Sequence, residues 1–132
     1  MSQENVEVVR EALEALNRGD VEVAVALFDS DIEWWHREDD PAATVHRGHD
    51  GITSRLVYLR EHFSKLQGET KELIECAGSV VVPLVAVGRG RSSGAAFQEN
   101  EVLLFRLRDG KTTEVREYRE KAEALKAVGL MK

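Results

Sequence analysis

Apolar residues recur at helical spacing in three stretches of the first half of the chain. The first stretch predicts a helix over residues 3–18 that ends at Gly19. A second, shorter helix is expected after Asp20 as its N-cap, and a third after Asp50. Their apolar positions are Val6, Val9, Leu13 and Leu16; Val21, Ala24, Val25 and Phe28; and Ile52, Leu56, Leu59, Phe63 and Leu66, with Tyr58 at the border.

The spacing changes to that of strands in two places. Between the second and third helices, Ile32, Trp34 and His36 alternate with Glu33 and Trp35, which predicts a strand with two distinct faces. After Gly68 the chain alternates again, in segments separated by short turns rich in glycine. The predicted strands are 70–76, 80–91, 95–108 and 111–119, with turns at Ala77-Gly78-Ser79, Ser92-Ser93-Gly94 and Asp109-Gly110.

The order of these elements predicts an α+β fold in which three N-terminal helices cover a strongly curved antiparallel sheet. Pro83 interrupts the second strand of the second half, and it is expected at an edge or bulge because it cannot donate to the ladder. Such a bulge would curl the sheet into a cone with a pocket on its inner face. The polar segment 37–48, which contains Pro41, is expected to be a surface loop or lid.

Composition narrows the class of protein. The chain has 132 residues, the size of one domain, so we expect a single domain over 1–132. The net charge of −6, without a basic stretch, argues against nucleic acid as a partner. No apolar run is long enough to span a bilayer, so no membrane partner is expected. Cys76 is the only cysteine and no signal-like segment follows Met1, so a cytoplasmic location is expected.

Carboxylates on otherwise apolar strand faces are the candidate chemistry. Glu99 and Glu101 alternate with Phe97, Leu103 and Phe105 along one face of the strand 95–108. Burying a carboxylate among such neighbours costs several kcal/mol unless it is paired or protonated. In the last strand, Glu117 shares a face with Val115 and Arg119. These acids are therefore candidates for a polar site inside the sheet.

Each candidate also has a structural interpretation. Glu99 and Glu101 can form solvated or salt-bridged pairs at the rim beside Arg89, Arg91 or Arg119. His36 can be a hydrogen-bonded core histidine. A metal site would need a cluster of histidines and acids, but the available spacing matches no standard pattern, so no metal is predicted. The histidines and acids that come nearest to such a cluster are His36, Glu38, His46 and His49.

A set of turn and packing motifs resembles SnoaL-like proteins of the nuclear-transport-factor-2-like superfamily, over essentially the whole chain. The motifs are Ala15-Leu16-Asn17-Arg18-Gly19-Asp20, Ala26-Leu27-Phe28, Asp31-Ile32-Glu33-Trp34, His46-Arg47-Gly48, Gly51-Ile52, Arg108-Asp109-Gly110-Lys111, and Glu123-Ala124-Leu125 through Gly129-Leu130. The resemblance implies a cystatin-like α+β cone with a deep pocket, and a homodimer formed through the outer face of the sheet. Relatives include polyketide cyclases, ketosteroid isomerases, epoxide hydrolases and dehydratases, so the fold alone does not define a reaction.

Residue by residue, the resemblance transfers a base but not a complete site. The general base of ketosteroid isomerases falls on His36, which can transfer protons. Their tyrosine donor falls on Ala12 and their second acid on Leu103, so that oxyanion hole is missing. The epoxide-hydrolase pattern has no clean counterpart. The resemblance also turns the face of Glu117 into the pocket, where its carboxylate can fix the tautomer of His36.

Two functions therefore remain open. The first is a cofactor-independent cyclase, isomerase or dehydratase that acts by acid–base chemistry on a small hydrophobic molecule. Its predicted catalytic residues are His36, Glu101 and Glu117, and its predicted substrate contacts are Trp34, Tyr58, Phe97, Glu99, Phe105 and Arg119. The second is a non-catalytic ligand-binding or dimerisation module. In either case a homodimer is expected, because Val102 and Leu104 would form an apolar patch on the outer face of the sheet.

Overall fold

The structure, a computed structural model, describes residues 2–37 and 44–129. Its helices and strands follow the predicted order, with helices first and a long sheet after them. In chain order they are α1 (Ser2–Asn17), α2 (Val21–Ala26), β1 (Phe28–Trp35), β2 (Val45–Arg47), α3 (Gly48–His62), β3 (Phe63–Thr70), β4 (Ile74–Cys76), β5 (Ser79–Gly90), β6 (Ala96–Arg108), β7 (Lys111–Tyr118) and α4 (Lys121–Ala127).

The seven strands form one curved, open sheet in the order β2-β1-β7-β6-β5-β3, and β4 pairs with β5 beside β3. All pairs are antiparallel except β1 and β7, which are parallel. The sheet is therefore mixed, and the prediction of a purely antiparallel sheet was wrong at this pair. Strands β1 and β7 are far apart in the sequence, so no hairpin turn fixes their relative direction.

The two hairpin turns that the sequence predicted around positions 77 and 109 are confirmed. Ala77 and Gly78 have φ angles of 47° and 83°, and Asp109 and Gly110 have φ angles of 52° and 77°. Two consecutive positive φ values are the signature of the tight turns that match the twist of paired strands. These turns fix the register of β4 against β5 and of β6 against β7.

Pro83 lies inside β5, opposite Val102 of β6, and not at an edge of the sheet. The other neighbour of β5 changes at this point, because pairing with β4 ends at Val81 and pairing with β3 begins at Leu84. The Pro83 carbonyl accepts a hydrogen bond from the Lys71 amide at 2.9 Å. The position that lacks an N–H thus faces the break between two strands, where no ladder bond is lost.

Three predicted boundaries were wrong. The third helix ends at His62, because Phe63 is already extended (φ −125°, ψ 129°) and pairs with β5. Phe63 and Leu66 therefore belong to a strand, although their spacing also fits a helix. Phe28 opens β1 and is not the last turn of α2. Part of the predicted lid forms the short strand β2, while residues 38–43 lie outside the described chain.

The predicted helix caps had different outcomes. The Asp20 side chain accepts a hydrogen bond from the Val23 amide at 3.2 Å, as predicted for the N-cap of α2. Asp50 does not cap α3, because that helix begins two residues earlier, at Gly48. Its carboxylate lies in the first turn, where the helix dipole still favours negative charge.

The core has two parts on opposite faces of the sheet. On the inner face, helices α1 and α3 pack Val9, Leu13 and Ile52 against buried residues of β1 and β5–β7. The three N-terminal helices thus cover this face, as predicted. On the outer face, α4 packs Ala124 against a second cluster; its strand residues are Val81, Val102 and Leu104.

The outer cluster corrects one prediction. Val102 is 5% exposed and Leu104 is fully buried, because α4 and the partly buried Tyr118 and Leu125 pack against them. They do not form an exposed apolar patch. The homodimer stays a prediction, but it loses the argument from these two residues. Among the described residues, no helix is long and apolar enough to cross a membrane.

Candidate functional site

A cavity of about 390 Å³ lies between the N-terminal helices and the inner face of the sheet. Helices α1 and α3 form one wall, and strands β1, β3, β5, β6 and β7 form the other. The lining is apolar over most of its area and polar at one end. The lining residues are Leu13, Leu16, Asn17, Trp34, His36, Arg37, His46, Ile52, Arg55, Leu56, Leu59, Phe63, Leu66, Gln67, Gly68, Leu84, Ala86, Phe97, Glu99, Glu101, Leu103 and Glu117.

Four of these side chains form one row, joined by two hydrogen bonds and one ion-pair contact. The Trp34 Nε1–H donates to Oε2 of Glu117 at 2.8 Å. The other carboxylate oxygen, Oε1, lies 3.2 Å from Nδ1 of His36. The Nε2 atoms of His36 and His46 lie 2.9 Å apart. The side chains of His36 and Glu117 are 8% and 15% exposed, so the centre of the row is shielded from water but open to the cavity.

The row follows from the pairing of β1 with both of its neighbours. Trp34 pairs with His46 of β2 on one side and with Val115 of β7 on the other. Because side chains alternate along a strand, His36 and Glu117 project from the same face as Trp34 and Val115. The strand parity that predicted a shared face for His36 and Glu117 is confirmed.

The contacts leave the donor of the row open at one point. One oxygen of Glu117 accepts the Trp34 N–H, and the other lies within ion-pair distance of Nδ1 of His36. Between the two imidazoles one Nε2–H donates to the other Nε2, and the tautomer decides which ring is the donor. Of the two rings, His36 is the one within ion-pair distance of the carboxylate.

The environment of His46 supports a neutral ring. Burial lowers the pKa of His46, a charge on His36 or Arg55 lowers it further, and Glu117 acts in the opposite direction. The neutral form of the His46 ring is therefore favoured. Sequence reasoning missed it, because segment 37–48 was interpreted as a loop and His46 was considered only as a metal ligand. The alternation of Val45, His46 and Arg47 was the available signal, but three residues are too few to identify a strand.

Glu101 is the second polar group of the cavity. Burial raises the pKa of its carboxyl group to about 7, and the neighbouring charges of Glu117 and Glu99 add to this effect. Arg37 and His36 oppose the increase. Among the described residues no hydrogen-bond donor reaches the Glu101 carboxyl group. Near neutral pH a substantial fraction of Glu101 is therefore protonated and can donate into the cavity.

Glu99 behaves as a rim residue. Its side chain is 54% exposed, and its carboxylate lies 3.0 Å from an Arg37 guanidinium nitrogen. Glu99 thus forms a salt bridge at the rim, as one interpretation of the sequence predicted. Its partner is Arg37 and not Arg89 or Arg91. The same interpretation does not describe Glu101, which lies deeper along the strand and has no such partner among the described residues.

Three predicted contact residues are not in the lining. Tyr58 is 47% exposed and stacks on His62, because α3 turns this position away from the sheet. Phe105 is fully buried behind the cavity, where its ring packs edge-on against Trp34. Arg119 lies just beyond the last residue of β7. The predicted placement in the lining is thus confirmed for Trp34, His36, Phe97, Glu99, Glu101 and Glu117.

The histidines and acids do not form a metal site within residues 2–37 and 44–129. His49 is hydrogen-bonded to the Phe28 carbonyl oxygen at 2.8 Å. Glu38 lies outside the described chain. Around the cavity, the described residues offer proton donors and acceptors.

Solved structures share this architecture. An NTF2-like protein of unknown function from Burkholderia pseudomallei has 21% identity and a TM-score of 0.79, over 96% of this chain and 98% of that one. An NTF2-like protein from Burkholderia xenovorans has 29% identity and a TM-score of 0.78, over 98% of both chains. TerC, co-crystallised with polyporic acid, has 22% identity and a TM-score of 0.79, over 95% and 97% of the two chains. No curated protein matches the sequence.

The fold and the cavity thus define an NTF2-like protein, a class of small α+β domains. The SnoaL-like domain family matches residues 9–115, which is most of the chain. The chain belongs to this family of SnoaL-like domains. The resemblance that the turn and packing motifs indicated is confirmed.

Proposed function

We propose that this protein is a cofactor-independent acid–base catalyst, of the isomerase, cyclase or dehydratase type, that acts on a small hydrophobic carbonyl compound. The observation that carries the proposal is the row Trp34–Glu117–His36–His46, which ends in the same cavity as the partly protonated Glu101. A base supported by a carboxylate and a separate acid are the two groups that enolisation requires.

The chemistry proceeds by proton transfer alone. The imidazole pair takes a proton from the carbon next to a carbonyl group, and the electrons of that C–H bond form a carbon–carbon double bond. The carbonyl π electrons take the proton of Glu101, which gives a neutral enol and a Glu101 carboxylate. The proton on His36 is stabilised by Glu117. In a β,γ-unsaturated compound the enol is a conjugated dienol. Return of the proton from the imidazoles to the γ carbon, with Glu101 recovering the enol proton, moves the double bond into conjugation with the carbonyl group and isomerises the compound.

The cavity suits a hydrophobic compound of this kind. Leucines, phenylalanines and Trp34 are the main apolar residues of the wall, so an apolar body gains about 25 cal/mol for each Å² removed from water. TerC, which has the same fold, was co-crystallised with polyporic acid, a small organic molecule. The absent isomerase acid at Leu103 is replaced one pleat away by Glu101, because both residues line the cavity from the same face of β6.

The test uses 2-tetralone, a bicyclic ketone with exchangeable hydrogens next to its carbonyl group. Incubation of 2-tetralone with the protein in D₂O should give protein-dependent deuterium incorporation next to the carbonyl group. Proton NMR measures it as the loss of those proton signals. His36→Asn should reduce the rate by ~10²–10⁴-fold, because the base is lost while a polar side chain remains. His62→Asn is the matched control, since His62 is exposed on α3 and bonded to the Tyr58 carbonyl; it should exchange at the native rate.

A non-catalytic binding module would give a different result. In that case 2-tetralone would bind and shift cavity resonances, but its deuterium content would follow the buffer rate with every variant. That outcome would overturn the proposed function. Circular dichroism and thermal unfolding of each variant confirm that a loss of exchange does not reflect a loss of fold.

A further inference from the structure

One positive charge in the cavity wall has no counter-charge among the described residues. Arg55 projects from α3 into the lining, and its side chain is half-buried. Its guanidinium carbon lies 5.2 Å from the ring centroid of Tyr58. Within residues 2–37 and 44–129, no carboxylate lies within ion-pair distance of it.

The other charged groups of the cavity have side-chain partners or are partly neutral. Arg37 is paired with Glu99 at 3.0 Å, and Glu117 lies within ion-pair distance of His36. Glu101 is partly neutral because it retains its proton near pH 7. Arg55 is thus a positive site in a wall whose acids are already engaged or protonated.

A neighbouring arginine on the same helix shows the contrast. Arg60 donates from its guanidinium to the Gly19 carbonyl oxygen at 2.6 Å and thereby ties α3 to the end of α1. Arg55 makes no such bond to a described backbone carbonyl. A half-buried cation without hydrogen-bonded partners carries a desolvation cost that an incoming anion would offset.

The position of Arg55 relates it to the candidate chemistry. Arg55 lines the same cavity as His36 and His46, and its charge lowers the pKa of His46. A planar guanidinium presents two parallel N–H groups, a geometry that matches a carboxylate. An acid group held there would direct the apolar body of the same molecule toward the leucine-rich wall and its reacting carbon toward the imidazoles.

We propose that the natural ligand is a hydrophobic organic acid whose carboxylate binds Arg55, with its apolar body in the cavity between α3 and the sheet. The inference rests on the proposed function only in placing this ligand in the same cavity as the imidazoles. The inference goes beyond the proposed function in two respects: it states that the ligand is an anion, and it names Arg55 as the residue that recognises it.

The experiment compares two probes of the same shape, 2-naphthoate and the neutral 2-naphthamide, by isothermal titration calorimetry. The native protein should bind naphthoate about 10- to 100-fold more tightly, the range expected for hydrogen bonds to a charged group. Arg55→Gln should remove this preference while its affinity for the amide stays the same. Arg60→Gln is the control from the same helix and should retain the preference.

Two results would overturn the inference. The first is a native protein whose affinities for the two probes differ by less than twofold. The second is an Arg55→Gln variant that keeps the native preference for naphthoate. Neither measurement requires turnover. The 2-tetralone test uses a neutral probe without an acid group. A failure of catalysis with an intact charge preference would therefore reject only the proposed function, and the reverse pattern would reject only this inference.

Discussion

The two faces of strands β6 and β7 carry acids of the same type in opposite electrostatic situations. On the outer face, Glu114 receives hydrogen bonds from Arg106 at 2.9 Å and Arg116 at 3.1 Å. On the inner face, Glu101 lies among apolar residues, and burial raises its pKa to about 7. The outer acid is satisfied by cations, whereas the inner acid retains its proton. The same residue type can therefore be a surface ion pair on one side of a sheet and a proton donor on the other.

The comparison extends to the second inner acid. Glu117 accepts a hydrogen bond from the indole of Trp34 and lies within ion-pair distance of the imidazole of His36. Its negative charge is thus available to stabilise a proton on His36. On the outer face, Trp35 shows the alternative use of an aromatic ring, because the Arg116 guanidinium lies 4.6 Å from its centroid. The inner face is arranged for proton transfer and the outer face for cation pairing.

The largest expected effect comes from neutralising Glu117. Glu117→Gln keeps an acceptor for Trp34 but removes the charge that stabilises protonated His36, so the exchange rate of 2-tetralone should fall by about 10²-fold or more. Glu114→Gln on the outer face of the same strand is the matched control and should exchange at the native rate. Equal rates in all three proteins would break the distinction between the two faces.

A second effect should appear in the pH dependence of stability. The Glu101 pKa is about 7 in the folded protein and 4.5 ordinarily, so the unfolded chain loses this proton first as the pH rises. This group therefore lowers the free energy of unfolding between about pH 4.5 and pH 7, by about 3 kcal/mol. Glu101→Gln cannot ionise and should gain stability relative to the native protein across that interval. Parallel stability curves from urea titrations at several pH values would contradict the account.

How much of this could be predicted from the sequence depends on the range of the interactions involved. Local signals predicted the hairpin turns at Gly78 and Gly110 and the face shared by Glu99 and Glu101. The boundary at Phe63 could not be predicted, because its apolar spacing fits a helix and a strand equally and pairing with β5 decides between them. Local sequence patterns therefore predict secondary structure only where the spacing of apolar residues fits one type of element. Where it fits both a helix and a strand, tertiary contacts decide.

The part of the site that depends on the alternation of side chains along one strand could be predicted from the sequence. The part that depends on pairing between distant segments could not. The alternation of Trp34 with His36, together with the resemblance, led to the contact with Glu117. The role of His46 depends on β2 pairing with β1, and the burial of Val102 and Leu104 depends on α4 docking on the outer face. Neither of these long-range contacts leaves a pattern in the local sequence.

The smallest expected effect concerns the outer ion pairs. Arg106 and Arg116 are 41% and 38% exposed, so solvent screens their attraction to Glu114. Glu114→Gln should therefore change the free energy of unfolding by less than about 1 kcal/mol, and the change should shrink further at high salt. Chemical denaturation at low and high ionic strength measures both quantities. A loss as large as that of a buried pair would show that the outer face is not simply solvated.

The most direct test of the acid–base account is the pH profile of deuterium exchange into 2-tetralone, compared between the native protein and Glu101→Gln. If protonated Glu101 assists the reaction, the native rate should decline above about pH 7, where the carboxyl group ionises. The variant should be slower but should lack this decline, because an amide donates at every pH. Superimposable profile shapes for the two proteins would contradict the claim that Glu101 supplies the acid.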